Sequence, residues 1–294
     1  MRVFITGATG FIGSALVPEL LGAGHQVLGM ARSDAAAKEL KAAGAEVHRG
    51  SLEDLESLRS GAAAADAVIH LGFVHDFSRF KEVCEIDRRA IETLGETLAG
   101  SDRTLIATGG LALLTKGRVA TEDDAPPLVS DAYPRASEQT TALFEKRGVR
   151  AMTVRLPQVH DTRKQGLVTY AIQAALAKGV VAYIGEGQNR WAAAHRLDAA
   201  RLYRLALEKG RNGARYHAVA EEGVSARDIA ETIGRRLNLP AISISPEQAP
   251  GQFGPLAGFA FLDITGSSKK TQEELGWKPA GPGLLADLEN LELA

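Results

Sequence analysis

The sequence has few of the features that mark secreted, membrane or nucleic-acid-binding proteins. Its 294 residues include one cysteine, Cys84, so neither an intrachain disulfide nor a zinc-binding cysteine cluster can form. The apolar runs are too short for a transmembrane helix, and the N-terminus has no basic region before an apolar core. A formal net charge of −2 without a long basic run argues against nucleic acid as the main partner. We therefore expect a soluble cytoplasmic protein with no membrane partner and no metal site.

The chain does have a glycine-rich turn between a strand and a helix near its N-terminus. An apolar run at residues 3–5 leads into GATGFIG at residues 7–13, where glycine recurs at every third position. Such glycines permit a tight turn, close approach of the backbone to phosphate, and packing of the helix on the strand. N–H groups at the helix start then face the anion, so a dinucleotide site is expected, with a purely structural turn as the alternative. The predicted contacts are Gly7, Thr9, Gly10, Phe11, Ile12 and Gly13.

Strand and helix patterns alternate through the first half of the chain. The predicted strands are residues 3–5, 26–30, 46–48, 67–71, 104–107 and 151–156, and the predicted helices are 12–21, 35–43, 52–59, 79–98 and 131–147. Beyond Pro157 the elements are shorter, with helices near 168–177, 199–208 and 226–237, strands near 180–184 and 216–219, and a loop at 245–258. We expect an α/β protein with a doubly wound parallel sheet in residues 1–157 and a smaller C-terminal α/β cap in 158–294. Parts near 190–220 are expected to return to the first domain.

Several motifs together resemble the extended or atypical short-chain dehydrogenase/reductases of the nucleoside-sugar epimerase type. They are GATGFIG at 7–13, AVIHLG at 67–72, VRLPQVH at 154–160, HRLDAARLYRLALE at 195–208 and LGWKPAGPGLLADLE at 275–289. The resemblance implies a Rossmann-type domain, a C-terminal substrate cap and a nicotinamide cofactor across the strand ends. It also implies cofactor contacts at Ser51, Leu52, Leu71, Gly72, Phe73, Leu156, Pro157 and Gln158. Ser51 stands where the family usually has aspartate, and core packing is the alternative for Leu71, Phe73 and Leu156. A homodimer is plausible because relatives commonly pair through long helices.

The end of the second predicted strand favours NADP over NAD. A carboxylate there would accept hydrogen bonds from the adenosine ribose. This chain instead has Arg32 and Ser33, and a guanidinium matches a 2′-phosphate. Asp34 follows, and its alternative role is to cap the next helix.

The residues that usually act beside the nicotinamide in this family are replaced. The family uses a Tyr-x-x-x-Lys pair with a Ser or Thr, in which the lysine lowers the pKa of the tyrosine that transfers the proton. Here the segment is DAYPRASEQTTALF at 131–144, which puts Pro134 at the tyrosine position and Glu138 at the lysine position. Tyr133 lies one residue early, and Thr108 is the remaining hydroxyl.

Three interpretations of the proton donor stay open. Tyr133 donates from a shifted position with support from Thr108. Alternatively a histidine serves, with His160, His75 or His195 as candidates, and His160 is the best placed because it follows the sixth predicted strand. In the third interpretation the protein binds NADP without turnover.

Aromatic residues beyond the fourth predicted strand suggest a fairly apolar substrate pocket. The candidate substrate contacts are His75, Trp191 and His195, although packing is the simpler explanation for Trp191. We expect an NADPH-dependent oxidoreductase that reduces a small C=O or C=N compound by hydride transfer. A nucleotide-sugar epimerase or dehydratase and a nonenzymatic NADP-binding sensor are the alternatives.

Overall fold

The computed structural model of the protein describes residues 1–131 and 133–293, apart from the side chain of Pro255. The strands are β1 Arg2–Thr6, β2 Gln26–Ala31, β3 Glu46–Arg49, β4 Ala67–His70, β5 Thr104–Gly110, β6 Arg150–Leu156, β7 Gln158–His160, β8 Val181–Ile184, β9 Arg190–His195, β10 Arg215–His217, β11 Glu221–Ser225 and β12 Ala241–Ile244. The longer helices are α1 Gly13–Gly22, α2 Asp34–Ala42, α3 Leu55–Ala63, α4 Phe80–Leu98, α5 Ser137–Ala142, α6 Val168–Lys178, α7 Arg196–Lys209 and α8 Ala226–Leu237. The shorter helices are α9 Ala249–Phe253, α10 Ala257–Ala260, α11 Lys269–Leu275 and α12 Leu284–Glu289.

The main sheet has seven parallel strands in the order β10-β6-β5-β4-β1-β2-β3. Alternate residues of β1 face opposite layers of helices. Val3 and Ile5 pack in the cluster with α1 and α7, and Phe4 packs in the cluster with α3 and α4. A parallel sheet covered on both faces has no solvent side, so its strands are apolar at successive positions. The doubly wound α/β fold expected from the sequence is confirmed.

The cap is built on two small sheets that follow β6. The first has the order β11-β9-β7, and the second pairs β12 with β8. Two elements of this C-terminal part belong to the main-sheet domain instead of the cap. Helix α7 packs on α1, and strand β10 extends the main sheet beside β6. In the part of the chain that the structure describes, no helix is long and apolar enough to cross a membrane.

The helix predicted at 131–147 is wrong over most of its length. Residue 132 lies outside the described residues, and the helix α5 spans only Ser137–Ala142. Pro134 disfavours a helical conformation at Tyr133, so Pro134 precedes the helix instead of opening its first turn. Beyond Ala142 the chain continues in turns to Gly148.

The loop predicted at 245–258 is also wrong, because that segment forms short helical turns. The N–H of Ser245 donates to the Gln248 side chain over 2.9 Å, which stabilises the first turn. Prolines at the starts of the next turns have the φ angle that a helix start requires. Strand β9 has no counterpart among the predicted strands, and it pairs with β7 and β11.

The C-terminal segment is attached to α7 through Asp198. The buried Asp198 carboxylate accepts hydrogen bonds from the N–H groups of Ala280 (3.1 Å) and Gly281 (2.7 Å). The backbone carbonyl of Asp198 accepts a further hydrogen bond from the indole of Trp277 over 3.0 Å, and Trp277 is fully buried. Asp198 therefore connects the domain of the main sheet to the segment that leads into the last cap helix.

We expect Asp198→Ala to lower the free energy of unfolding by about 2–3 kcal/mol, because the N–H groups of Ala280 and Gly281 lose a buried, charged acceptor. Urea denaturation followed by circular dichroism measures the effect. Glu39→Ala is the control, since Glu39 is exposed on α2 and has no side-chain hydrogen bond among the described residues. Equal stability of the Asp198 variant and the wild type would contradict this account.

Candidate functional site

The glycine turn after β1 is constrained partly by protein packing. Gly7 has φ +69°, and a Cβ on it would lie 2.8 Å from the backbone N of Gly72. A Cβ on Gly13 would lie 2.1 Å from the carbonyl oxygen of Gly7. Gly10 differs, because it is exposed and its nearest contact would be the Gly7 oxygen at 3.0 Å. The protein itself requires Gly7 and Gly13, whereas Gly10 leaves an open backbone surface.

Free backbone donors lie on that open surface. Within the described residues, the N–H groups of Phe11 and Ile12 donate to no acceptor, while the N–H of Gly10 donates to the Gly7 carbonyl. Ile12 is the N-cap of α1, so these donors lie at the positive end of a ten-residue helix. Thr9 beside them is half-buried. The turn therefore fits the pyrophosphate of a dinucleotide.

The end of β2 offers a cation and no free carboxylate. Arg32 is exposed and forms no ion pair among the described side chains. Ser33 caps α2, since its hydroxyl accepts a hydrogen bond from the N–H of Ala36 over 3.2 Å. The alternative in which Asp34 is the cap is therefore wrong, and Asp34 pairs with Arg49 instead.

The predicted adenine and ribose contacts lie along the same edge of the sheet. The Ser51 hydroxyl accepts a hydrogen bond from the Asp54 N–H over 3.2 Å. Leu52 packs on Gly72, where a Cβ would lie 2.9 Å from the Leu52 side chain. The half-buried Leu71 packs against the main core. These residues adjoin the glycine turn through Gly72.

The predicted nicotinamide contacts after β6 differ in exposure. Leu156 and Pro157 are half-buried, and Leu156 packs on the main core. Gln158 is buried, and its side-chain oxygen accepts a hydrogen bond from the Leu167 N–H over 2.8 Å. The Gln158 side chain therefore holds the following loop.

A buried chain of hydrogen bonds starts at the glycine turn and runs through His70. The Thr6 hydroxyl accepts from the N–H of Gly72 over 3.1 Å and lies 2.7 Å from Nδ1 of His70. Nε2 of His70 lies 3.1 Å from the Asp87 carboxylate. The imidazole of His70 thus bridges the Thr6 hydroxyl and the Asp87 carboxylate, with one ring nitrogen facing each group.

The chain continues from Asp87 to Arg135. The hydroxyl of Ser137 donates to Asp87 over 2.6 Å, and Nε of Arg135 donates to that hydroxyl over 3.0 Å. An Nη of Arg135 donates to the carbonyl of Thr108 over 3.0 Å, and its guanidinium lies 4.8 Å from the centre of the Phe73 ring. Burial raises the pKa of the Asp87 carboxyl, but its hydrogen bond with His70 and the charge of Arg135 outweigh burial and lower that pKa. Asp87 is thus an ionised anchor at the centre of the chain.

Thr108 has no proton left for a substrate. Its hydroxyl donates to the carbonyl of His70 over 2.7 Å and lies 2.7 Å from the hydroxyl of Tyr203. Burial raises the pKa of Tyr203, so Tyr203 remains a phenol and donates to Thr108. Thr108 can still accept a hydrogen bond, and its predicted catalytic role stays a prediction.

The lysine position of the family motif is occupied by half of a buried ion pair. Glu138 accepts hydrogen bonds from Nε and an Nη of Arg155 over 2.9 and 2.8 Å. Arg155 is fully buried and also donates to the carbonyl of Asp124 over 2.7 Å. Burial and the charge of Arg155 lower the pKa of His217 to about 3, so His217 accepts from Arg155 as a neutral ring. Glu138 is therefore committed to a structural contact.

Tyr133 keeps a free hydroxyl in this region. The side chain is half-buried, and its hydroxyl makes no hydrogen bond with the described residues. Burial raises the pKa of Tyr133, with the positive charge of Arg135 acting in the opposite direction. Tyr133 is thus a neutral phenol at physiological pH.

His160 and His195 lie together inside the cap, and their ring centres are 5.9 Å apart. His160 is fully buried, and its Nδ1 lies 2.6 Å from the Asp287 carboxylate. Burial lowers the pKa of His160 despite this carboxylate. Nδ1 of His195 accepts from the Leu197 N–H over 3.3 Å and caps α7. A catalytic role of His160 stays a prediction, and the ring has no solvent exposure through which a ligand would reach it.

An aromatic row connects Phe73 to the cap. The ring of His75 lies 5.5 Å from Phe73 and 6.4 Å from Phe77. Phe77 in turn contacts Tyr170 and Phe259 of the cap, at 5.8 and 6.1 Å. This row, from Phe73 through His75 and Phe77 to Tyr170 and Phe259, is called the aromatic wall below.

The cap end of the aromatic wall opens into an apolar cavity. Tyr170, Phe259 and Trp191 are among its lining residues. The indole N–H of Trp191 donates to the carbonyl of Leu262 over 3.0 Å, so its ring edge is fixed in the wall of this cavity. The candidate substrate contacts His75 and Trp191 therefore lie along one apolar path, whereas His195 faces His160.

Three cations of the site were missed from the sequence. Arg135 directly follows Pro134, which stands at the tyrosine position, and the family motif prescribes no residue type at position 135. Lys164 and Arg196 lie 5.8 and 5.5 Å from the ring centre of Phe11 in the glycine turn. A single cation in a loop or at the start of a helix gives no sequence pattern, so only the tertiary structure brings these three residues to the site.

Comparisons with known proteins agree with this architecture. Residues 3–220 match the model of the NAD dependent epimerase/dehydratase family. A protein of Schizosaccharomyces pombe described as uncharacterized protein C2A9.02 is 49% identical over 291 residues, 98% of each chain. A sterol-4-alpha-carboxylate 3-dehydrogenase (decarboxylating) of Dictyostelium discoideum is 27% identical over 242 residues, which is 77% of this chain and 73% of that one.

Solved structures share the fold. The dTDP-glucose 4,6-dehydratase DesIV of Streptomyces venezuelae, with NAD and TYD bound, superposes with a TM-score of 0.77 at 19% identity, covering 99% of this chain and 96% of that one. The resemblance to extended short-chain dehydrogenase/reductases is confirmed. Because the family model covers most of the chain, the protein belongs to the NAD dependent epimerase/dehydratase family.

Proposed function

We propose that the protein is an NADPH-dependent reductase, or the reverse dehydrogenase, for a small and largely apolar carbonyl compound. The aromatic wall carries this proposal, because it forms a continuous apolar path from the cap cavity to the polar groups after β5. Aromatic rings bury an apolar ligand well and offer a sugar few hydrogen bonds. The path ends at Arg135 and Thr108, where the reacting oxygen would lie.

The glycine turn supports a dinucleotide at this site. The free N–H groups of Phe11 and Ile12 would bind its pyrophosphate, and the exposed Gly10 would let the backbone approach it. Arg32 would bind a 2′-phosphate, since it has no carboxylate partner among the described residues. When bound, a reduced nicotinamide supplies the hydride for the carbonyl carbon.

The chain's own residues would then position the oxygen and provide its proton. Tyr133 holds a proton on a free phenol, whereas the Thr108 hydroxyl already donates to His70. The Arg135 guanidinium does not lose its proton at any accessible pH, so it stabilises negative charge without acting as an acid. We infer that Tyr133 is the proton donor and that Arg135 supplies a fixed positive charge close to the reacting carbonyl.

Conversion of a nucleotide sugar is the second candidate function. The likeness to DesIV over almost the whole chain favours it. Its weakness is local: the lysine position is Glu138, which is paired with the buried Arg155. A carboxylate there raises the pKa of a neighbouring phenol, where the family chemistry needs it lowered.

One assay separates the candidates. The purified protein is mixed with NADPH and a panel of ketones and aldehydes, and absorbance at the nicotinamide band is followed. Loss of absorbance supports the reductase, and conversion of a UDP- or dTDP-sugar without net cofactor use supports the epimerase. Tight NADPH binding without turnover of any compound would overturn both and favour a sensor.

Gly10→Ala should weaken NADPH binding by about tenfold or more, because the new methyl group stands where the backbone approaches phosphate. Isothermal titration calorimetry measures the Kd. Gly22→Ala is the matched control, since a Cβ on Gly22 meets nothing within 4 Å. An unchanged Kd in the Gly10 variant would mean that the turn binds no dinucleotide.

Arg32→Asp should shift the cofactor preference toward NADH by at least about tenfold. A carboxylate at this position repels a 2′-phosphate and accepts hydrogen bonds from the ribose hydroxyls of NADH. The measurement is the ratio of the Kd values for NADPH and NADH. Arg89→Asp on the outer face of α4 is the control. Parallel changes in both Kd values would refute the assignment of Arg32.

Tyr133→Phe should reduce kcat by about 100-fold or more if Tyr133 is the general acid. Because the pKa of Tyr133 is raised, the phenol stays protonated into the alkaline range. The rate of reduction by the wild type should therefore show no decrease from loss of this proton as the pH rises to about 9. A pH–rate profile of both proteins checks this. Full activity of the variant would exclude Tyr133.

A further inference from the structure

Arg135 is a fixed cation without a carboxylate partner. Two of its nitrogens donate to the Ser137 hydroxyl and to the Thr108 carbonyl, and its plane rests on Phe73. Among the described residues it takes part in no ion pair. Most arginines on this surface do pair with acids, as Arg88 does with Glu85.

Asp87, the acidic residue linked to Arg135 through Ser137, forms no direct ion pair with Arg135. Asp87 is buried, and its two oxygens are engaged by His70 and by the Ser137 hydroxyl. Ser137 therefore stands between the carboxylate and the guanidinium. The arrangement holds Arg135 in place and leaves its charge without a direct counterion.

The remaining nitrogen, Nη1, lies near Gly110 at the end of β5. It makes no hydrogen bond with the described residues, and a Cβ on Gly110 would lie 3.9 Å from it. Gly110 is half-buried and meets no other atom within 4 Å of such a Cβ. The absence of a side chain at the end of β5 leaves room for a ligand group beside the guanidinium.

The surroundings carry positive charge on an apolar background. His75 keeps some solvent contact, but partial desolvation and the charges of Lys164 and Arg135 lower its pKa. His75 is therefore neutral at physiological pH, and it adds no countercharge. An anionic group next to Arg135 would be attracted by two cations.

We propose that Arg135 binds the carboxylate of an apolar oxo acid and makes the protein selective for such acids over neutral ketones. This rests on the proposed carbonyl-reducing function. A planar guanidinium matches a carboxylate, and the aromatic wall takes the apolar body of the same molecule. Because Arg135 donates to the backbone of Thr108, the carboxylate lies near the reacting carbonyl, as in 2-oxo or 3-oxo acids.

The test compares acids with neutral ketones in which a methyl group or a hydrogen atom replaces the carboxylate. The probe pairs are phenylpyruvate with phenylacetone and benzoylacetate with acetophenone. Their Kd values are measured by isothermal titration calorimetry on the NADP⁺-loaded protein, where no reduction takes place, and on the cofactor-free protein. We expect the wild type to bind the acid of at least one pair about 10- to 100-fold more tightly.

The variants assign this preference to a residue. Arg135→Met keeps the apolar stem over Phe73 and should bring the ratio of the two Kd values close to one, and Arg135→Lys should retain part of it. Arg89→Met should keep the wild-type ratio, because Arg89 is exposed on α4. Thermal melts verify that each variant is folded, and the Lys variant serves if the Met variant is not.

The outcomes separate this inference from the proposed function. A preference below threefold in both pairs, or one that persists in Arg135→Met and vanishes in Lys164→Met, overturns the assignment of Arg135. An Arg135-dependent preference without NADPH oxidation supports the acid site and contradicts the reductase. Reduction of the ketones as readily as the acids supports the reductase and contradicts the acid site. Loss of NADPH affinity in Arg135→Met would also overturn the inference, since it would make Arg135 a cofactor ligand.

Discussion

The structure depends on one buried chain of hydrogen bonds that passes from the glycine turn through His70 and Asp87 to Arg135. Each link joins a different element, from β1 and β4 to α4 and the start of α5. A buried carboxylate is costly unless its oxygens are satisfied, and here both are. The glycine turn and the proposed substrate cation are therefore joined by one polar core.

Replacement of the family's lysine changed the electrostatics of the site and left its scaffold intact. Glu138 at that position needs a cation, and Arg155 supplies it from β6. Under the proposed function, the positive charge that a lysine would bring to the site comes instead from Arg135, three residues earlier in the chain. A guanidinium binds and orients an anion, but it does not tune a phenol as a neighbouring lysine does. Because this site has no lysine to lower the pKa of a tyrosine, we propose carbonyl reduction and not the conversion of a nucleotide sugar.

Much of the fold was predictable because it follows from local periodicity and backbone sterics. The apolar runs of β1, β4 and β6 are buried on both faces, and the glycines at 7 and 13 are required by close backbone contacts. The predictions failed where the local pattern was weak. The helix around residues 137–142 is short because proline precedes it, and β9 is a strand only because β7 and β11 flank it.

The sequence by itself determined the parallel α/β sheet, the dinucleotide turn and the loss of the Tyr-x-x-x-Lys pair, since each is a pattern of neighbouring residues. Only the tertiary structure decided which charges are neutralised and which remain free. Arg155 and Glu138 are 17 residues apart, and Ser137 and Asp87 are 50 apart, so no local pattern records these contacts. A buried charge requires a partner, so burial makes these pairings necessary. Arg135 has no carboxylate partner among the described residues, and under our proposal a ligand would neutralise its charge.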